Sequence, residues 1–458
     1  MTTLDVKDAA YHFLRAEAGS LDMYGIYAFD SGDGRAPSFA EIRSHVQDRA
    51  ALVPALNVVL EEAVLNLDYP SWVPSSGISD EYISDHDLDG ASWDACQRLV
   101  GVFLETGLDA RIRPWHVHVV RGVHGVPTVA GEATIVVFQV THALSDGLGL
   151  TRLAGALFAP ASAPPDVVGA LLPGHVPAQR PGSRRLRALA ALLSVPVGLA
   201  RYRYEVVAAR RRYLASRVGI PAAARPGTPT RLTAVPTGKR VVHIVPLPAS
   251  TLRGLGVSVT SAALSAVAGV TNKYLDAHGD PAPRVLGASV PIALGPDVEW
   301  PSANRVLSGT VDLDATEADP LVRAHTIALS LGAERARVTS PELIALARAE
   351  EHLPAPAVLL NRWMHNFRTP PQPATVFAHT TVVSVDRGPA ALQLCGSTVA
   401  FTSGTPILGK DRSIVHGFFG VGNVITVVIL ACPDTVPDHD FYRDLLLTTL
   451  DEMTRAAG

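Results

Sequence analysis

Apolar residues recur at helical spacing from Ser38 to Glu62 and again from Trp93 to Glu105, whereas Trp115-His-Val-His-Val-Val120 alternates with a period of two. The first two stretches predict amphipathic helices and the third a strand. Ser38 and Glu41 have the spacing of a capping box, and Pro54 predicts a kink or division of the first helix because it lacks the amide hydrogen an interior turn needs. Ala133-Thr-Ile-Val-Val-Phe-Gln-Val140 is nearly continuous in apolar residues, the pattern of a strand buried on both faces, with Gly122 to Gly131 as the loop before it. Further on, strands are predicted at Arg240 to Pro246, Val285 to Ile292, Val306 to Leu313, Thr380 to Val385, Ser397 to Phe401 and Val424 to Leu430. Helices are predicted at Pro248 to Gly256, Ser261 to Ala277 and Asp438 to Ala457.

Between Pro160 and Pro229 the pattern changes to Pro, Gly, Ala and Arg, which marks a connection between two bodies. The expected division is therefore 1–175, a crossover at 176–229, and 230–458. A chain of 458 residues also exceeds what one core supports, roughly 250–300 residues. Both halves mix strands and helices, so the fold class is α/β with a cleft between two similar domains. Within the crossover, Arg180 to Arg217 holds ten arginines against one acid, Glu205. Leu186 to Leu193 and the cluster Arg201, Arg203, Arg210, Arg211, Arg212 predict helices with an apolar and a cationic side. Such a segment suits an anionic membrane surface, or else a solvated helix packed on its own protein.

Composition narrows the function. Hydrophobic residues make up 47% of the chain and charged ones 18%, and the formal net charge is −4, which gives no basic field for binding nucleic acid. Cys96, Cys395 and Cys432 form no zinc or disulfide pattern, so a reducing, cytoplasmic setting is expected. The acidic start Met1-Thr-Thr-Leu-Asp-Val-Lys-Asp8 does not read as a secretion signal. Leu186 to Ala200 falls short of the roughly 20 residues a membrane span needs.

The strand at Ala133–Val140 delivers the segment Thr141-His142-Ala-Leu-Ser-Asp146-Gly147. Histidine is the side chain whose ordinary pKa suits it to take a proton from an alcohol attacking a thioester, which makes His142 the candidate general base. Asp146 reads as an organiser, and Gly147 as the residue that permits a tight turn. A buried Asp146 would need a partner, for which Arg305 and Arg284 are the candidates. Taken alone, a histidine at a strand end is most often structural.

The flanking residues carry more. Arg113-Pro114-Trp115 through Thr141-His142-Ala-Leu-Ser-Asp146-Gly147 resembles the bacterial wax ester synthase/diacylglycerol acyltransferase family, within the group that includes chloramphenicol acetyltransferase and condensation domains. Tyr24 to Asp30, Val257 to Tyr274, Val290-Pro291-Ile292 with Asn304-Arg305-Val306, and Ser384 to Pro389 are similar to further elements of that family in the same order. The resemblance implies two chloramphenicol-acetyltransferase-like domains with an active-site tunnel at their interface. It also implies acyl-CoA as co-substrate, an alcohol acceptor such as diacylglycerol or a long-chain alcohol, and no metal or redox cofactor.

Two positions depart from the family pattern. The first histidine of the double-histidine motif is Thr141, and the Asn-Asp pair at the start of the post-crossover helix is Thr260-Ser261. Thr260, Ser261 and Asn304 are candidates to contact substrate or a developing oxyanion, although a helix cap is the simpler role for Thr260 and Ser258. The altered pair leaves open a natural-product or condensation-type enzyme using a carrier-protein thioester, and a silent lipid-binding relative is a third reading. His116, His118 and His142 offer a three-histidine metal site in principle, but no acidic ligand or fourth histidine stands at supporting spacing. The chain has no Gly-x-Ser-x-Gly elbow, and Gly254-Leu-Gly256 follows a helical segment, which argues against a dinucleotide site. Localisation is expected to be cytoplasmic, with the basic crossover suited to the inner membrane face or a lipid droplet.

Overall fold

The computed structural model describes residues 2–14, 20–160, 184–216, 220–281, 283–366 and 374–457. Three sheets organise them. Strands β1 (Thr2–Thr3), β3 (Val58–Glu61) and β4 (Ser71–Pro74) form a small sheet in the order β1-β4-β3. The first large sheet contains β2 (Met23–Asp30), β5 (Ile83–Ser92), β6 (Trp115–His124), β7 (Ala133–Val140), β12 (Gln393–Leu394) and β13 (Ser397–Thr405), in the order β12-β13-β2-β7-β6-β5. The second contains β8 (Val241–Pro248), β9 (Gly287–Ala293), β10 (Val306–Asp312), β11 (Thr380–Asp386), β14 (Ile414–Val421) and β15 (Val424–Ala431), in the order β10-β9-β11-β14-β15-β8.

Helices cover these sheets. In chain order they are α1 (Val6–Leu14), α2 (Phe39–Ala51), α3 (Trp93–Phe103), α4 (Gly147–Phe158), α5 (Arg184–Ala215), α6 (Ser250–Arg253), α7 (Val259–Ala277), α8 (Pro320–Val338), α9 (Pro341–Ala349), α10 (Ala355–Asn366) and α11 (His439–Ala457). On one face of the first sheet, α2 and α4 bury Ile42, Val46, Leu153 and Leu157 against Tyr27, Phe29 and Phe138. On the second sheet, α7 and α11 bury Leu264, Val267, Leu446 and Leu450 against Phe418, Val427 and Ile429. A third core joins the two lobes. In it Cys96 and Val100 of α3 meet Ile135 and Val137 of β7, and Val242, Val415 and Val428 from the second sheet. Burial of that apolar seam, at roughly 25 cal/mol per Å², holds the lobes as one body.

Local signals explain where elements start and stop. Ser38 and Glu41 form the predicted capping box at α2. Pro54 ends that helical run outright: α2 stops at Ala51, Asn57 donates its amide to the Ala50 and Val53 carbonyls (both 2.8 Å), and β3 follows where helix was expected as far as Glu62. Strand β5 escaped the sequence reading because Ile83-Ser-Asp-His-Asp has few apolar residues. As an edge strand it pairs only with β6, and Arg121 neutralises its Asp85 and Asp87. Strand β14 was missed because Gly417 and Gly420 dilute its pattern, yet a side chain at Gly417 would strike the ring of Phe419.

Two features alter the expected organisation. Strands β12 and β13, from the C-terminal half, complete the first sheet, with Thr398 opposite Asp30 and Thr405 opposite Tyr24. Strand β2 is buried along most of its length, so its second row of amides needs a partner, and the later chain supplies it. A continuous lobe at 230–458 therefore gives way to one that reaches across. The crossover, expected as two helices, is a single helix, α5, with Pro196 inside it. It packs against α9, where Gly198 allows close approach of Pro354 and the His352 carbonyl. Arg180, Arg217 and the boundary at 175/176 lie outside the described residues.

Candidate active site

His142 lies just beyond β7, where the two lobes meet. Its position is fixed from behind: the Thr141 amide donates to the Pro114 carbonyl (2.9 Å), and the neighbouring Trp115 indole donates to the Leu56 carbonyl (2.9 Å). From the second lobe, the loop between β9 and β10 brings Asn304 against the imidazole, with its Oδ1 at 2.7 Å from His142 Nδ1. The orientation of that amide follows from its other bonds. Asn304 Nδ2 donates to the His142 carbonyl (2.7 Å) and to Asp8 Oδ1 (2.8 Å), so the oxygen must face the ring. His142 Nδ1 therefore carries the hydrogen, and Nε2 carries the lone pair.

Asp8, on α1, holds the Asn304 loop. Its carboxylate accepts from Ser302 Oγ (2.5 Å), the Ala303 amide (2.9 Å) and the Asn304 amide (3.3 Å). Burial pushes the Asp8 pKa up, against those hydrogen bonds. One turn on, Tyr11 stacks flat on His142, ring centroids 4.3 Å apart and 11° from parallel. Burial also lowers the His142 pKa below its ordinary 6.5, opposed by the Asn304 hydrogen bond and the charge of Asp146. The imidazole is consequently neutral at physiological pH. Sequence reading missed Asp8 and Tyr11; their three-residue spacing on a short amphipathic helix was the available signal.

Asp146 bridges the lobes. Its Oδ1 caps α4 by accepting from the Gly149 amide (2.9 Å), and its Oδ2 accepts from the Arg305 amide of the second lobe (2.9 Å). The cationic partner expected of Arg305 or Arg284 is replaced by a main-chain one, the Arg305 amide. The Arg305 guanidinium turns away to the carbonyls of Gly295 (2.8 Å) and Val298 (2.7 Å), and Arg284 is exposed. Replacing Asp146 with Ala removes an N-cap, about 0.5–2 kcal/mol, and leaves the half-buried Arg305 amide unpaired, about 1–3 kcal/mol. Thermal denaturation should show a loss of about 1.5–5 kcal/mol for Asp146→Ala and a smaller one for Asp146→Asn, which keeps an acceptor.

The remaining expectations divide. Gly147 has no left-handed backbone and open space where a Cβ would stand; it opens α4, and the chain turns just before it at His142–Leu144, where the Leu144 amide donates to the Thr141 carbonyl (3.0 Å). Gly149 is the constrained glycine, since a Cβ there would collide with the Ser145 hydroxyl. Ser258 caps α7 by accepting from the Ser261 amide (3.1 Å), and its hydroxyl also meets that of Ser261 (2.8 Å), which leaves Ser261 buried in a cap. Thr260 is half-buried in the first turn of α7, and no described contact joins it to His142. Both Asn304 amide hydrogens are taken, so Asn304 holds the imidazole and has no hydrogen left for an oxyanion.

His116 and His118 do not converge with His142. Their rings stack at 4.1 Å, His116 bonds Ser84 (2.8 Å), and His118 bonds Gln139 (3.3 Å). Among the described residues, His243, His439 and Asp440 form a group close enough to share a metal ion, with the two imidazole nitrogens 3.0 Å apart, but Arg443 already occupies Asp440 Oδ1 (2.7 Å). His142 lines a cavity of about 10 Å³, space for one water, together with Tyr11, Asp22, Leu108 and Thr141.

This two-lobed α/β body belongs to a recognised class. The chain belongs to the wax ester synthase/diacylglycerol acyltransferase family: residues 6–255 match its catalytic domain and residues 302–454 its C-terminal domain. It is 27% identical over 323 residues to a Mycobacterium tuberculosis protein of strain H37Rv named as a diacylglycerol O-acyltransferase, covering 65% of this chain. That match spans 64% of the relative's length. The wax ester synthase/diacylglycerol acyltransferase from Marinobacter aquaeolei VT8 superposes with a TM-score of 0.66 at 16% identity, covering 100% of both chains. Trichothecene 15-O-acetyltransferase from Fusarium sporotrichioides gives 0.55 at 12% identity, covering 99% of this chain and 94% of that one. The first condensation domain of the CDA synthetase gives 0.53 at 16% identity, covering 98% and 96%. At these identities the three structures share the fold.

Proposed function

We propose that this protein is an acyl-CoA-dependent O-acyltransferase in which His142 is the general base. The observation that carries the reading is the Asn304 amide, which holds the hydrogen on His142 Nδ1 and so leaves Nε2 basic. His142 Nε2 takes the proton of an acceptor hydroxyl as its oxygen attacks the thioester carbonyl carbon. The tetrahedral intermediate then expels the CoA thiolate, which takes the proton from the imidazolium. An ester and free CoA-SH leave, and the base is restored without metal or redox cofactor. The acceptor class suggested by the M. tuberculosis and Marinobacter relatives is diacylglycerol or a long-chain alcohol. Release of CoA thiol, followed with acyl-CoA donors against diacylglycerol, fatty-alcohol and polyol acceptors, tests the reaction; release only from a carrier-protein thioester would replace the donor.

The direction of the His142 shift sets the pH dependence. A pKa below 6.5 keeps the base neutral at pH 7, so kcat/KM should be level there and fall only as pH drops below 6.5. An acid limb centred above pH 7 would contradict a buried, neutral imidazole.

Association with an anionic membrane surface accompanies this reading. Among the described residues no helix is long and apolar enough to cross a membrane. Helix α5 nevertheless exposes Leu189, Leu192, Leu193 and Val197 in its first half, and Arg201, Arg203, Arg210, Arg211 and Arg212 in its second. Apolar insertion and cationic attraction, about 1 kcal/mol for each basic residue near the surface, would act together. Co-sedimentation with phosphatidylserine vesicles should fall sharply when Arg210, Arg211 and Arg212 become Glu, and unchanged binding would exclude the helix from that role.

A further inference from the structure

Strand β8 is the edge of the second sheet, and from it His243 points toward the first turn of α11. His243 Nε2 stands 3.0 Å from His439 Nδ1 and 3.8 Å from Asp440 Oδ1, while Asp440 Oδ2 stands 3.9 Å from His439 Nδ1. His243 is buried, His439 half-buried and Asp440 exposed, so the group has a fixed base and an open approach from solvent. The first lobe braces the strand at this point, where Gln97 Oε1 of α3 accepts from the Ile244 amide (2.7 Å).

We infer that His243, His439 and Asp440 form a binding site for a divalent transition-metal ion of the zinc class, with water at the fourth position. The inference is independent of the acyltransferase reading, and three observations carry it. The first is spacing. Zinc bonds to imidazole nitrogen and carboxylate oxygen measure about 2.0–2.2 Å, so tetrahedral ligand atoms stand about 3.3–3.6 Å apart. One ligand atom from each residue already lies within 4.8 Å of the others. The three separations above fall within about 0.3 Å of the tetrahedral range.

The second observation is convergence that hydrogen bonding leaves unexplained. The two imidazoles can share one hydrogen between them, but the carboxylate lies beyond hydrogen-bond reach of either nitrogen. Successive residues of a helix diverge by about 100°, yet His439 and Asp440 both turn to His243. Arg443, one turn on, donates to Asp440 Oδ1 (2.7 Å) and draws it back, leaving Oδ2 for the ion. Ligating carboxylates are held by a second group in this way. With an ion bound, each imidazole carries its hydrogen on the nitrogen turned away from the metal, and both stay neutral.

The third observation is charge. Asp94 of α3 and Asp444 of α11 join Asp440 around Arg443, three carboxylates against one guanidinium, and the excess attracts a divalent cation. Two imidazoles favour zinc, cobalt or nickel over magnesium or calcium. The ion fastens the edge of the second sheet to the start of α11 and stabilises the fold by mass action.

The test titrates the full chain, first stripped with a chelator, with Co²⁺ and then with Zn²⁺. One equivalent of Co²⁺ should give the strong visible absorption of tetrahedral cobalt, which Zn²⁺ abolishes and excess Mg²⁺ leaves intact, and Zn²⁺ should raise the Tm. His439→Ala should weaken Co²⁺ binding at least about tenfold and remove the Zn²⁺-dependent rise in Tm. His325→Ala, at an exposed histidine of α8, should change neither. Should His439→Ala melt early without metal, Asp440→Asn keeps an acceptor for Arg443 at the surface and should weaken binding to a similar extent. Absence of the visible band in the unaltered protein, or an equal band and affinity in His439→Ala and Asp440→Asn, would overturn the inference.

Discussion

His142→Ala should lower kcat for acyl transfer by about 10²–10⁴, the usual worth of a positioned general base, or roughly 3–5 kcal/mol in the barrier. The leaving group makes the size of this loss informative. A thiolate departs readily near neutral pH, since thiols ionise at about 8.5, whereas an alcohol must shed its proton to attack. Almost the whole effect therefore falls on nucleophile activation, and the rate that survives reflects the positioning of two bound substrates. The variant's rate should climb with pH as hydroxide takes over, while the unaltered enzyme stays level. KM for acyl-CoA and the melting temperature should barely move. CoA-thiol release across a pH series checks all of these, and a variant with near-normal turnover at pH 7 would remove His142 from the chemistry.

Asn304→Leu should cost about a hundredfold in kcat, the scale expected when a reacting group is misplaced by about 1 Å, although Asn304 touches no substrate in the proposed reaction. Leucine fills a similar volume but gives Nδ1 nothing to donate to, so the imidazole can carry its hydrogen on either nitrogen and swing on its Cβ. The pH profile separates this from general damage. The Asn304 hydrogen bond raises the His142 pKa, so its loss should move the acid limb of kcat/KM to lower pH. A loss of folded structure alone would reduce the amplitude without moving the limb. Serine at position 304 restores a hydroxyl acceptor and should recover part of the rate; no recovery together with an unmoved limb would refute the orienting role.

Legibility from sequence was greatest where chemistry is local. The all-apolar run of β7 announces a buried strand, and the segment that follows places His142 and Asp146 at its end because three intervening residues separate them. The capping box at Ser38, the strand at β6 and the closing helix α11 were equally readable, since each depends on the order of apolar and polar residues within one element. Misreadings fell where neighbours override that order. Strand β5 is polar and relies on Arg121 of the adjacent strand, and β13 reads as part of the second lobe although it pairs with β2.

His142 and Asn304 are 162 residues apart, and Asn304 and Asp8 are 296 apart. Periodicity reports which side of an element avoids water and leaves open which distant loop will meet it. The proposed base was therefore visible in the order of residues, while its tautomer, its Tyr11 cover and the main-chain partner of Asp146 arose only when the two lobes closed on a shared core. Each of these depends on the direction of a single hydrogen bond or ring plane, and packing, rather than residue type, sets that direction.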